Sequence, residues 1–142
     1  MRMVSDMDNT LFDKFGRKAR PGLLDLPARL SEPGHTLILW TSSTRAQDER
    51  ILANHDARKC FAEALYREDY DPDNAGAVQD IRRVNAAMIV DDDLKHIYFA
   101  EKLGAIGFRD STYRGCGASA DEPERLKRAI KNGAGWRRRL VT

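Results

Sequence analysis

Two acids one residue apart, Asp6 and Asp8, stand where the first apolar run of this chain ends, in Val4-Ser5-Asp6-Met7-Asp8-Asn9-Thr10-Leu11. Such a pair can bind a hard cation and leave one carboxylate free to attack phosphorus. Oxygen ligands suit magnesium, which prefers one or two protein carboxylates, waters and substrate phosphate to a closed protein cage. Two later segments have the same form. Thr36-Leu37-Ile38-Leu39-Trp40 runs into Thr41-Ser42-Ser43-Thr44, and Ala86-Ala87-Met88-Ile89-Val90 runs into Asp91-Asp92-Asp93. Three apolar runs thus each terminate in residues suited to phosphate or metal chemistry.

These runs are short and alternate with helical patterns, the signature of an α/β domain with a mostly parallel sheet. Strands are expected at 1–7, 35–41, 64–67, 86–90 and 105–108. The stretch 11–20 is too polar and glycine-punctuated for regular structure, and Pro21-Gly22 closes it. Helices are expected at 23–30, stopped by Pro33-Gly34, and at 46–53 and 75–84. A further helix over 94–103 follows from the spacing of Leu94, Ile97, Tyr98, Ala100 and Leu103, with Gly104 as its C-terminal cap. The last covers 121–132, with Asp121 as N-cap and Pro123 in its first turn. In open parallel sheets ligands gather at the carboxyl ends of the strands. Asp6, Thr41 and Asp91 are therefore expected to share one crevice.

The 142 residues are expected to form a single domain, with a core over 1–108 and a C-terminal helix and basic tail over 109–142. An apolar content of 42% beside 32% charged residues argues against disorder. No apolar run approaches the roughly 20 residues of a bilayer span. Asp6 and Asp8 interrupt the first such run, so the N-terminus lacks a signal-peptide pattern. Cys60 and Cys116 are too few for a disulfide framework and lack metal-site spacing, which points to the reducing cytoplasm. A net charge of +2 decides little about partners, although Trp136-Arg137-Arg138-Arg139 is a short basic cluster.

Asp6-Met7-Asp8-Asn9-Thr10 resembles the first motif, Asp-x-Asp-x-Thr, of the haloacid dehalogenase superfamily of aspartate-nucleophile phosphatases. Thr41 resembles the threonine or serine of the second motif, and Asp91-Asp92 the paired acids of the fourth, in the same order along 1–108. Within the superfamily, Leu39-Trp40-Thr41-Ser42, Leu65-Tyr66-Arg67-Glu68 and Val78-Gln79-Asp80-Ile81 resemble the small carboxy-terminal-domain phosphatase and NLI-interacting-factor group, whose members dephosphorylate serine in peptides. The resemblance implies a Rossmann-like three-layer sandwich on a five-stranded sheet and a magnesium-dependent phosphomonoester hydrolase. It implies that Asp6 attacks phosphorus to form an aspartyl-phosphate, which splits one hard step into two. Asp8 would protonate the leaving oxygen and later deprotonate the hydrolytic water. Asp6, the backbone carbonyl of Asp8 and Asp91 would hold Mg2+, with Asp92 supporting the metal shell. Thr41 would hydrogen-bond a phosphoryl oxygen, and Thr10, Ser42 and Gln79 would line the same group.

One position departs from the pattern. The superfamily's third motif is a lysine, and Val78-Gln79-Asp80-Ile81 puts Gln79 in its place, which keeps a hydrogen bond and loses the charge. On the expected helix Arg82 or Arg83, three and four residues on, could supply that charge to the phosphate. The intervals Asp8 to Thr41 and Gln79 to Asp91 leave no room for a cap domain. An open crevice is expected, suited to a phosphate on a macromolecule. The expected partner is a phosphorylated substrate, protein ahead of nucleic acid, with no membrane.

Each signal also has a plainer reading. Asp91-Asp92-Asp93 could be a helix N-cap cluster, with Asp93 as the cap, and Ser43 or Thr44 could cap the helix that follows. Arg45 reads as a solvated arginine, His35, His55 and His96 as surface or packing residues, Trp40 as core, and Arg137-Arg138-Arg139 as a solvated tail. A calcium loop fails on spacing, since it needs Gly at its sixth position and Glu at its twelfth, where this chain has Leu11 and Arg17. Two other functions stay open. Asp91-Asp92, a helix and Gly104-Ala105-Ile106-Gly107-Phe108 also resemble the phosphatase half of polynucleotide kinase, a nucleic-acid end phosphatase. Loss of the lysine suits a phosphate-binding scaffold without turnover.

Overall fold

Along β1, Arg2–Ser5, successive buried side chains go to opposite faces: Met3 joins one apolar cluster and Val4 the other. The structure, a computed structural model, describes residues 1–29, 34–110, 113–115 and 122–141, with side chains described for all of these except 28–29 and 133–141. The same alternation runs through β2, Thr36–Trp40, and β4, Met88–Asp91. Leu37, Leu39, Met88 and Val90 lie with Met3, while Ile38, Trp40 and Ile89 lie with Val4. A sheet apolar on both faces must be covered on both. On the first face the cover comes from Ile51 and Leu52 of α2, Arg45–Asn54, and Leu126 and Ile130 of α5, Glu122–Val141. Leu26 of the short α1, Leu26–Arg29, joins them. On the second face Tyr70 of the short α3, Arg67–Tyr70, and Ile97 and Ala100 of α4, Leu94–Lys102, pack with Ile81 and Val84 of a single 3-10 turn, Ile81–Val84.

With β3, Glu63–Leu65, and β5, Ile106–Arg109, the strands form one sheet in the order β3-β2-β1-β4-β5. Every pairing is parallel. The result is the α/β, Rossmann-like sandwich expected, with a sheet that is wholly rather than mostly parallel. The chain steps outward from β1 through β2 to β3, then returns to the other side of β1 for β4 and β5. That reversal puts the topological switch point between β1 and β4, where ligands of such sheets bind beyond the strand ends.

Helix α4 stops where the spacing predicts, with Gly104 at φ +82 beyond its last turn, a conformation open to glycine at little cost. Tyr98, read as part of its apolar face, is instead 57% exposed. The helix over 75–84 does not form. The carboxylate of Asp71 takes the N–H groups of Ala75, Gly76 and Ala77 at 2.8, 3.0 and 3.2 Å, and Gly76 has φ +80. That capture bends the backbone away from a helix start, and its hydrogen bonds, led by that of Ala75, lower the Asp71 pKa. Only the turn Ile81–Val84 remains, capped by Asp80, whose side chain accepts from the Arg82 N–H, and ended by Asn85 in the left-handed region at φ 54. The helix expected over 23–30 is reduced to α1. Pro33, Cys116 and Asp121, and the side chains of Arg137 to Arg139, lie outside the described residues. Among the described residues no helix is long and apolar enough to cross a membrane.

Candidate active site

The first acidic pair sits on a tight reversal that follows β1. The Asp6 N–H reaches the Val90 carbonyl at 3.2 Å, so the chain leaves β1 still joined to β4. The carbonyl of Met7 then accepts from the N–H groups of Thr10, Leu11 and Phe12 at 3.4, 3.0 and 3.2 Å. Asn9 takes φ 61 inside this turn, which asparagine tolerates better than most residues. Across the switch point β4 ends at the buried Asp91. Carboxylate oxygens of Asp6, Asp91 and Asp92 lie within 4.8 Å of one another.

Three carboxylates at that spacing oppose one another. The Asp6 pKa is raised well above the ordinary value by burial first and by the charge of Asp91 next, with smaller pushes from Asp92 and Asp8. Held this closely, hard oxygen donors fit a hard divalent cation, whose charge would remove the conflict. Asp91 is fixed from behind: its Oδ1 accepts from the Asp93 N–H at 2.9 Å, and its Oδ2 lies 2.7 Å from His96 Nδ1. That bond to Asp91 raises the His96 pKa. Thr10 Oγ1 donates to Asp92 Oδ1 at 3.4 Å. The sequence signal for His96 was its position one helical turn after the acids, and read as a surface or packing residue it went unassigned.

The second segment approaches from β2. Thr41 N–H bonds the Leu65 carbonyl of β3 at 3.0 Å, and the Thr41 side chain is buried. Its Oγ1 accepts from the Ser43 N–H at 3.0 Å, while Ser43 Oγ donates to Asp8 Oδ2 at 3.0 Å. Burial raises the Asp8 pKa, and the Ser43 hydroxyl offsets part of the rise. Asp8 Oδ1 is buried with no hydrogen-bond partner among the described residues. Thr44, rather than Ser43, caps α2 by accepting from the Gln47 N–H. Ser42 is exposed. Asp48 on α2 is fully buried, and burial pushes its pKa up to about 6 against the pull of the Thr41 hydroxyl, with Asp8 and Glu68 adding to the rise.

Gln79 is buried, and its Oε1 has no partner among the described residues. It lies beside Tyr70, whose pKa is raised chiefly by burial and which also feels the charge of Asp6. Gln79 thus touches a tyrosine that senses Asp6, whereas the two arginines are not gathered with the acids. Without the helix over 75–84, Arg82 turns onto Asp80, with Nε 2.9 Å and Nη2 2.5 Å from its two carboxylate oxygens. Arg83 is exposed. Asp6, Asp8, Thr10, Thr41, Asp91 and Asp92 thus meet at one end of the sheet, joined by Ser43 and His96.

Behind the loop lies a residue that sequence reasoning passed over. Arg20 is buried, donates from Nε to the Thr10 carbonyl at 2.6 Å and from Nη2 to the Asn9 carbonyl at 3.3 Å. Its Nη1 lies 2.8 Å from Glu122 Oε2 and 3.2 Å from Asp110 Oδ1. Nothing in the local sequence ties these three residues together.

No curated protein matches the chain. The family model described as NLI interacting factor-like phosphatase matches residues 2–107, which span the whole loop of Asp6 and Asp8, Thr41, Gln79 and the Asp91-Asp92 pair. That stretch is most of the chain, and with the parallel sheet and its switch point it makes the chain a member of the NLI interacting factor-like phosphatase family.

Proposed function

We propose that this phosphatase is a magnesium-dependent phosphomonoester hydrolase that works through an aspartyl-phosphate on Asp6 and acts on phosphate carried by proteins or other extended substrates. The observation that carries the reading is the meeting of Asp6, Asp91 and Asp92 within 4.8 Å, with Asp8 held on Ser43 beside them. Asp6, Asp91 and the Asp8 carbonyl would hold the ion, supported by Asp92. Bound magnesium supplies the positive charge that lets Asp6 ionise beside Asp91 and offsets the charge of the phosphoryl oxygens.

The remaining steps belong to the chain. A carboxylate oxygen of Asp6 attacks phosphorus as the bond to the leaving oxygen breaks. Asp8, with its pKa raised by burial, carries a proton to that oxygen, then withdraws one from the water that hydrolyses the aspartyl-phosphate. Thr41 Oγ1 accepts from the Ser43 N–H, and its hydroxyl hydrogen, otherwise turned to Asp48, would go to a phosphoryl oxygen. Thr10, Ser42 and Gln79 complete the phosphate surroundings. Among the described residues, the segments joining β1 to β2 and β3 to β4 add loops, short helices and turns and no further strand, which favours an uncapped crevice and a large substrate. The cysteines Cys60 and Cys116 favour the reducing cytoplasm as its place of work.

A second reading, a phosphate-binding scaffold with little turnover, is favoured by the neutral Gln79 and by the pairing of Arg82 with Asp80. Hydrolysis of p-nitrophenyl phosphate separates the two. Wild-type protein with magnesium should turn the ester over, and Asp6→Asn should lower the rate by at least about a thousandfold, as losing a nucleophile does. A wild type inert with every divalent metal and at every pH tested would remove the hydrolase and leave the scaffold.

A further inference from the structure

The loop after the acidic pair does more than close β1. Residues 14–17 lie against α2 and leave a cleft of about 580 Å³ lined by Lys14, Phe15 and Arg17 on one side and Gln47, Arg50 and Asn54 on the other. Gly16 forms its floor. A Cβ there would fall 2.6 Å from side-chain atoms of Ile51, and Gly16 has φ +68, so only glycine lets the loop seat on the helix. His55 Nε2 donates to the Gly16 carbonyl at 2.8 Å and holds the seat, with its ring 4.8 Å from that of Phe12. The cleft begins close to the acids. Gln47 bonds the Thr44 hydroxyl, and Ser43, one residue earlier, holds Asp8.

We propose that this cleft docks an acidic polypeptide segment flanking the phosphorylated residue of a protein substrate, a proposal that rests on the phosphoprotein reading above. Charge is the first reason. Lys14, Arg17 and Arg50 line the cleft and no Asp or Glu does. Asp13, next to Lys14 in the chain, is buried, and its Oδ1 accepts from the N–H groups of Arg17 and Lys18 at 2.6 and 2.9 Å, while Glu49, beside Arg50 on α2, is paired with Arg45. Shape is the second, since an open cleft between a loop and a helix takes an extended chain, whereas a small metabolite needs enclosure.

The ring of Phe15 bears on the choice between peptide and nucleic acid. It is 69% exposed, but Lys14 Nζ lies 5.9 Å and Arg17 Cζ 5.5 Å from its centroid. Sites for single-stranded nucleic acid stack bases on open aromatic faces. Here the face carries cations, which suits a carboxylate beside an apolar residue better than a base.

The test measures fluorescence anisotropy of a labelled, unphosphorylated peptide rich in Glu and Asp, a neutral peptide of the same length, and an oligothymidylate strand. Wild type should bind the acidic peptide, more weakly as salt rises, and should ignore the neutral one. The charge reversal Arg17→Glu with Arg50→Glu should weaken binding by about tenfold or more. Both residues are exposed, and a circular dichroism melt checks that the variant folds, with Lys14→Glu as the substitute if it does not. No binding by wild type, equal binding by the variant, or tighter binding of the oligothymidylate would each overturn the proposal. Because the peptide has no phosphate, binding is read apart from turnover. A protein that hydrolyses p-nitrophenyl phosphate without binding the peptide loses only the cleft. One that binds the peptide and hydrolyses nothing loses only the hydrolase reading.

Discussion

Two neighbouring regions of this molecule have opposite electrical character. The crevice at the switch point gathers Asp6, Asp8, Asp91 and Asp92, and the residue expected to balance them is the neutral Gln79. The cleft beside it gathers Lys14, Arg17 and Arg50 without a lining acid. Under the proposed function the first region takes positive charge from a bound ion, and the second offers positive charge to an acidic segment. The contrast teaches where nearby cations go: Lys14, Arg17 and Arg50 line the cleft, Arg82 is held on Asp80 and Arg20 on Glu122.

The largest effect should come from that ion. Magnesium at a hundred times its dissociation constant should raise the stability of the folded state by about 2.7 kcal/mol, the mass-action value for a ligand that binds only the folded chain. Thermal melts with and without magnesium measure it, and Asp91→Asn should shrink the shift. Identical melts would mean that the crevice tolerates its charges without a metal.

Asp48 sharpens the comparison from inside the protein. Its carboxyl titrates near 4 when exposed and is pushed up to about 6 in the fold. The folded state therefore holds the proton more tightly than the unfolded chain, and the cost of ionising Asp48 grows as pH rises from about 4 to about 6, then stays constant. The full shift bounds that cost at about 3 kcal/mol, and Asp48→Asn should recover about 1–2 kcal/mol of it at pH 8. Melting temperatures of the variant and wild type should converge near pH 4 and separate above pH 6. A gap that does not change with pH would show that the ionised form is well accommodated.

The smallest effect concerns Gln79. Replacement by lysine would put a cation among the acids, and turnover of p-nitrophenyl phosphate should rise several-fold, worth about 1 kcal/mol or less on the barrier. A rate that is unchanged or lower would mean that positive charge already reaches the phosphate by another route.

What was legible in the sequence follows from how local each signal is. The strands β1, β2 and β4 were legible because each is a short apolar run, as a strand buried on both faces must be, and each stops at an acid or a hydroxyl. Helix α4 was legible from Ile97, Ala100 and the glycine at 104, all within one element. The segment 75–84 was misread as helix because its composition allowed one, while the group that prevents it, the Asp71 carboxylate, lies outside the window. In the site, the acids and Thr41 stood out by type and order. The bonds that position them did not, since Ser43 to Asp8 spans 35 residues and chemistry as ordinary as serine's marks one end. His96 hid behind the plain frequency of packed histidines.

Arg20 connects these themes to the far end of the chain. The family match closes at residue 107, yet the buried guanidinium that braces the carbonyls of Asn9 and Thr10 finds its counter-charges later, on Asp110 and Glu122. A fragment cut at the edge of the match would strand that cation in the interior with neither carboxylate, a defect that typically costs about 3–5 kcal/mol. The helix that begins at Glu122 thus anchors, through Arg20, the loop that carries Asp6 and Asp8.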